Sequence, residues 1–236
     1  MRGAVGIARR LAIPPLLIGL TVVGFGTSTP ELLVSVDAAL RGAPDIAIGN
    51  IVGSNIGNIL LIVGLVAYLV WAYRQPGTDT SEAAATPPLP LWQSLIWVAV
   101  GLGALMLGAR FLVDSAISIA RGYGISEAFI GLTVVAIGTS LPELATSLIA
   151  ALRRQSEIAI GNIVGSNIFN VLGILGVTAL IAPIPVAERF LVLDLPAMIL
   201  VSALLTGLLL LRPRIGRVTG VMLLLGYGAY LWMAQG

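Results

Sequence analysis

Gly26-Thr27-Ser28-Thr29-Pro30-Glu31 sets a carboxylate and a proline inside an apolar run long enough to cross a bilayer. The chain repeats it 112 positions later as Gly138-Thr139-Ser140-Leu141-Pro142-Glu143, and from Ile18–Leu60 to Ile130–Leu172 30 of 43 positions are identical. A glutamate at membrane depth is costly and marks a functional site whose partner has to be found. Here the candidate partner is the motif's own copy.

The rest of the chain has the same character. Of 236 residues 58% are hydrophobic and 10% charged, and the mean hydropathy is +1.02. Those values describe an all-α integral membrane protein rather than a soluble domain. The formal charge of +2 rests on Arg alone, since Lys is absent, and nearly all of the Arg lies between apolar runs. That is membrane-flanking charge and not a nucleic-acid patch. Cys and His are absent too, which excludes disulfides, thiolate chemistry, imidazole metal ligands and the usual general base. Only a carboxylate pair is left for acid–base work, so the reading is a non-enzyme without a cofactor. Met1 to Gly26 has the outline of a signal peptide, but its apolar run recurs internally and no Ala-x-Ala site follows it, so it is expected to stay in the protein.

A spanning helix needs about 20 mostly apolar residues. Seven segments qualify or nearly do: approximately 11–40, 45–73, 91–120, 125–151, 157–182, 188–211 and 215–234. The polar, Pro-rich stretch 74–90 between the second and third reads as an extramembrane linker. It divides a first half, 1–73, from a second half, 91–236. With loops alternating between the two sides, Arg2, Arg9, Arg10, Arg74, Arg153, Arg154, Arg212, Arg214 and Arg217 share one side, and Arg41, Arg121 and Arg189 the other. The positive-inside rule then places the N-terminus in the cytoplasm and the C-terminus outside. The two motif helices consequently run in opposite directions, the arrangement of an inverted-repeat secondary transporter with a midplane site.

The first half reads as incomplete. Arg2–Arg9 aligns with Asp114–Arg121, the end of the third helix, so the first copy begins where a preceding helix should end. The second helix starts like the fifth and finishes like the seventh: Gly64 to Leu69 resembles Gly226 to Leu231. A leading helix and the net equivalent of two later ones are expected to be missing. Two separate spans between Asp45 and Arg74 would contradict this.

Pro30 and Pro142 supply no N–H and push on the carbonyl four residues back, so carbonyls near Gly26 or Thr27, and near Gly138 or Thr139, lose helical partners. Freed backbone at membrane depth has to be satisfied by another group, and a cation in a cavity is one such group. Each motif therefore offers a carboxylate, two hydroxyls and free carbonyls. Two opposed motifs reach the roughly 6–8 oxygens that Ca²⁺ takes. The following helix carries Asn50, Ser54 and Asn58, repeated as Asn162, Ser166 and Asn170, and a spacing of four puts them on one face. Ser54 and Ser166 fall at the depth of the glutamates, whereas Asn50 and Asn162 could equally serve only to join helices. Gly49, Gly53 and Gly57 form a neighbouring line of small residues for close helix approach; the second copy has Gly161 and Gly165 but Phe169 in the third position. Asn55 and Asn167 fall off the polar stripe and read as structural. Arg110 and Asp114 read as an intrahelical pair, and Asp37, Asp45, Glu127, Glu157, Glu188 and Asp194 as helix-end residues meeting water or helix N-termini.

GTSTPE with GNIVGSNIGN, and GTSLPE with GNIVGSNIFN, resemble the two alpha-repeats of the Ca²⁺/cation antiporter superfamily, which includes the Na⁺/Ca²⁺ exchangers. The resemblance covers nearly the whole chain apart from the linker. It implies ten helices in two inverted halves of five, with Ca²⁺ and Na⁺ competing for one midplane site that opens alternately to each side. Carried over, Glu31 and Glu143 become the central Ca²⁺ ligands and the carbonyls of Thr27 and Thr139 complete the shell. Ser28, Ser54, Ser140 and Ser166, with the carbonyls of Gly24 and Ala136, line the Na⁺ positions. Some exchangers carry Asp where this chain has Asn170, opposite Asn58. With Asn at both places the site holds at most two negative charges, which neutralise one Ca²⁺ but not three Na⁺, so H⁺ or K⁺ coupling stays open. The expectation is an inner-membrane antiporter exchanging Ca²⁺ for Na⁺ or another monovalent cation. The alternatives are a truncated, non-transporting remnant or assembly subunit that binds cations, and a passive cation channel. Homo-oligomerisation is left open.

Overall fold

The computed structural model describes residues 14–73, 90–211 and 215–235. The linker expected at 74–90 therefore lies outside the described residues apart from Pro90, as do Arg2–Arg9, Arg10, Arg74, Arg212 and Arg214. The described residues are helices joined by short turns: α1 (Leu16–Thr27), α2 (Thr29–Leu40), α3 (Pro44–Val70), α4 (Leu91–Gly122), α5 (Glu127–Thr139), α6 (Leu141–Leu152), α7 (Ser156–Ile181), α8 (Phe190–Leu211) and α9 (Arg217–Ala234).

Proline sets the breaks. Pro30 and Pro142 sit at the second position of α2 and α6, and the helix bends by 41° between α1 and α2 and by 44° between α5 and α6. Ser28 and Ser140 take the same non-helical geometry at the two bends (φ −84°, ψ 8° and φ −83°, ψ 7°). Pro44 opens α3, where its missing N–H costs nothing. The α2–α3 turn needs a left-handed residue. Gly42 supplies it at φ 72°, and in the second copy the non-glycine Arg154 takes φ 60° at the equivalent position.

Among the described residues α3, α7 and α8 are each long and apolar enough to cross a membrane, and the bent pairs α1–α2 and α5–α6 each pass as one span. The 32-residue α4 and 18-residue α9 stand where the other two spans are expected. Residues 44–70 form one continuous helix with a π-helical segment at Asn58–Val63. No second span lies between Asp45 and Tyr73, as the shortened first half requires.

The core is an exchange between the two copies. α3 packs on α5, and α7 packs on α1. Glycine makes both approaches possible: a Cβ on Gly49 would stand 2.9 Å from the Leu132 nitrogen, and one on Gly19 2.6 Å from the Ile158 carbonyl. Gly131 and Gly161 stand in the equivalent crowded positions, facing Ile46 and Leu16. Between membrane helices, where lipid competes for apolar contact, such backbone proximity supplies van der Waals attraction that bulkier residues would forfeit. Each crossing also contains a π-helical segment with the identical sequence GLTVV, Gly19–Val23 and Gly131–Val135.

The copies are covered unequally. α8 and α9 pack against α3, and 72% of the most apolar 18-residue window of α3 is buried, against 33% for α7. Asp194, read from sequence as a helix-end residue meeting water or a helix N-terminus, is instead fully buried. It accepts from Arg189 Nε at 3.2 Å and from the Tyr230 hydroxyl at 3.0 Å, while Arg189 also donates to the Ala234 carbonyl at 2.6 Å. A buried carboxylate needs such partners, and these tie α8 to the end of α9. The Arg110 side chain of the expected Arg110–Asp114 pair lies outside the described ones.

Candidate cation site

The two bends meet at the centre. Glu31 and Glu143 are both 0% exposed, held at the first turns of α2 and α6. Each receives a hydrogen bond from the serine of the opposite bend: Ser140 Oγ donates to Glu31 Oε1 at 3.1 Å, and Ser28 Oγ to Glu143 Oε1 at 2.9 Å. Since each serine stands three residues before the other glutamate, these crossed bonds bring both carboxylates to one locus. Ser166 adds a third contact, Oγ to Glu143 Oε1 at 3.3 Å.

The polar stripe of α3 and α7 forms the wall. Asn50 donates to the Glu31 carbonyl at 3.2 Å and to Ser35 Oγ at 2.9 Å, and accepts from Thr139 Oγ1 at 2.9 Å. Asn162 repeats the pattern with the Glu143 carbonyl at 3.4 Å, Ser147 Oγ at 3.0 Å and Thr27 Oγ1 at 3.0 Å. Both asparagines use their amides to lock a bend to the facing helix, the joining role the sequence left open for them. Ser54 donates to the Ala136 carbonyl at 3.5 Å, and the single Ser166 hydroxyl proton has the Gly24 carbonyl and Glu143 Oε1, each 3.3 Å from Oγ, as alternative acceptors. One turn further on, Asn58 Nδ2 donates to Asn167 Oδ1 at 2.9 Å and Asn170 Nδ2 to Asn55 Oδ1 at 3.0 Å, a crossed amide clasp between the copies. Asn55 and Asn167 are thus structural, in line with their place off the stripe.

Four oxygens decide what the locus can hold. Glu31 Oε2, Glu143 Oε2, Asn58 Oδ1 and Asn170 Oδ1 are buried and without a hydrogen-bond partner. A buried acceptor left unpaired costs about 1–3 kcal/mol, more when charged. These four belong to residues related by the repeat, whereas Gln155 Oε1, Thr178 Oγ1 and the Tyr227 hydroxyl, also buried and unpartnered, do not pair in this way. Carboxylate, amide, hydroxyl and carbonyl oxygens are hard ligands suited to Ca²⁺ or Na⁺. Among the described residues no cluster of three or more Asp, Glu, His or Cys side chains exists, so the charge at the locus is set by the two glutamates.

Of the side chains named from sequence, Ser28, Ser140 and Ser166 bond the glutamates directly, Ser54 bonds the Ala136 carbonyl, and Asn58 and Asn170 are buried and bonded to Asn167 and Asn55. The hydroxyls of Thr27 and Thr139 donate to Asn162 and Asn50 of the opposite copy and lie within reach of carbonyls of their own turn. The carbonyls of Gly24 and Ala136 accept from Ser166 and Ser54. Ser35 and Ser147 were missed, although both are fully buried and stand one turn after a glutamate in both copies, a spacing of four that could have drawn them in.

The model of the family described as sodium/calcium exchanger protein matches residues 1–86 and 93–235. The chain belongs to that family. Among exchanger-family relatives, a candidate antiporter, CaxA of Alkalimonas amylolytica, is 36% identical over an alignment covering 98% of this chain and 91% of CaxA. The inner membrane protein YrbG of Escherichia coli is 34% identical over 97% of this chain and 88% of YrbG. A solved structure of the sodium-calcium exchanger NCX_Mj, soaked with Na⁺ and Ca²⁺, superposes with a TM-score of 0.72 at 32% identity, covering 98% of this chain and 90% of that one. The fold is therefore the inverted-repeat membrane fold of the exchangers. The CaxA alignment runs over 294 positions against the 236 residues of this chain, so the relative carries dozens of residues with no counterpart here.

Proposed function

We propose that the protein exchanges Ca²⁺ for Na⁺ or another monovalent cation across the inner membrane, by alternating access at the site between the two bends. The observation that carries this reading is the set of four repeat-related, buried, unpartnered oxygens on Glu31, Glu143, Asn58 and Asn170. Ca²⁺ is the cargo best matched to two carboxylates, because it leaves no net charge at membrane depth. Monovalent ions compete for the same carboxylates together with the Ser28, Ser54, Ser140 and Ser166 hydroxyls and the carbonyls of Gly24, Ala136, Thr27 and Thr139. The domain reading is two inverted halves, 1–73 and 91–236, joined by the linker, with the N-terminus cytoplasmic.

The test is ⁴⁵Ca²⁺ uptake into proteoliposomes driven by an outward Na⁺, H⁺ or K⁺ gradient. Uptake should follow one of these gradients and vanish in Glu31→Gln and in Glu143→Gln, with both variants still eluting as folded protein. Uptake retained in both variants overturns the site.

A second reading has its own support: among the described residues the most apolar window of α3, packed against α8 and α9, is 72% buried and that of α7 only 33%. A protein with this imbalance could bind the cation without passing it across. Ca²⁺ binding without any gradient-driven uptake would identify that case, and flux with no exchange ion would identify a channel.

A further inference from the structure

The repeat is near-perfect around the site, so the places where it breaks are informative. Gly57 of α3 is replaced by Phe169 in α7, Leu61 by Gly173, and Ile137 of α5 corresponds to Phe25 of α1. These three differences fit together in space. The rings of Phe25 and Phe169 stack with centroids 4.5 Å apart. A Cβ on Gly173 would stand 2.5 Å from the Phe169 ring, so the glycine is the notch that admits the phenyl group.

On the other copy the same place is open. A cavity of about 20 Å³ lies among Gly53, Gly57, Ala136, Ser140, Leu144 and Tyr227, room for about one water-sized species. The nearest atom to a Cβ on Gly57 is the Tyr227 hydroxyl, 4.0 Å away, and that hydroxyl is buried and unpartnered. Ser140 at the cavity is 6% exposed, while its counterpart Ser28 is 0% exposed. Tyr227 belongs to α9.

We propose that Phe25, Phe169 and Gly173 form a seal over one side of the cation site, and that the Gly57–Tyr227 cavity is the side on which this conformer admits water and ions. This rests on the reading of the two bends as a transport site, but its readout does not require transport.

The chain contains no cysteine, so single-cysteine variants report without background. Ser28→Cys lies under the seal and Ser140→Cys at the cavity. In proteoliposomes exposed on both faces to a small, charged thiosulfonate reagent, Ser140→Cys should react at least about tenfold faster than Ser28→Cys, the ratio set by ~1.4 kcal/mol between open and closed states. Adding Phe169→Ala should bring Ser28→Cys up to the rate of Ser140→Cys and leave the latter unchanged. Transplanting the plug, with Gly57→Phe and Leu61→Gly together, should slow Ser140→Cys by a similar factor. Equal labelling of Ser28→Cys with and without Phe169→Ala overturns the seal, as does unaltered labelling of Ser140→Cys after the transplant. Calcium titration of the unmodified protein separates the two ideas. Absent binding with the labelling pattern intact removes the cation site and keeps the seal, and intact binding without the pattern does the reverse.

Discussion

At the scale of single residues, the site is built from groups that hold one another before any ion arrives. Asn50 and Asn162 each make three bonds, to a glutamate backbone, a serine and a threonine of the opposite copy. Asn50→Ala leaves Ser35 without its donor, a change of about 1–3 kcal/mol for a group stranded in the interior, while the Thr139 hydroxyl falls back on the Val135 and Ala136 carbonyls. The expected outcome is a lower thermal midpoint and weakened Ca²⁺ binding in Asn50→Ala, with Asn162→Ala behaving alike. A variant that melts early but binds Ca²⁺ normally would show that the asparagines join helices without shaping the site. The glutamates, serines and stripe asparagines were legible because charge and amide are rare in an apolar chain and each occurs twice. Ser35 and Ser147 were not, since serine in a membrane helix is common enough to pass as a bond to its own backbone.

Whole elements are governed by glycine and proline. Gly53 meets the Leu132 backbone and the Ala136 side chain of α5, and Gly165 meets the Leu20 backbone of α1, whereas Gly57 faces open space. Gly53→Ala and Gly165→Ala should therefore force apart the two crossings that carry the bends, lowering the thermal midpoint and Ca²⁺ affinity together. Gly57→Ala should leave both within error, which thermal melting alongside calcium titration will check. The line of small residues and the two prolines announce these crossings and breaks in the sequence. The π-helical segments were not announced. GLTVV contains nothing that distinguishes a five-residue hydrogen-bond spacing from an α-helical one, and the extra residue is accommodated by contacts formed only after the copies interlock. Asp194 was misplaced for a similar reason: Arg189 is only five residues away, but Tyr230, which helps to bury it, comes 36 residues later from α9.

The molecule as a whole is a repeat with unequal cover. The inverted repeat was readable from the doubled motif, and the solved exchanger fold bears it out. That α7 is far less buried than α3 among the described residues, 33% against 72% of the most apolar window, required the assembled structure. If the seven segments are seven spans, a C-terminal fusion after Gln235 lies on the outer side. Alkaline phosphatase fused there should be active and a fluorescent reporter that folds only in the cytoplasm should be dark; the opposite pair of results would remove one span from the count and reverse the second copy.

Both bends, both glutamates and the amide clasp converge on one claim, that a single divalent cation is held jointly by Glu31 and Glu143. Calorimetric titration of the purified protein with Ca²⁺ tests it most directly. One Ca²⁺ per chain, lost in Glu31→Gln and in Glu143→Gln alike and weakened by added monovalent cation, is the predicted result. Undiminished binding in either single variant would contradict it.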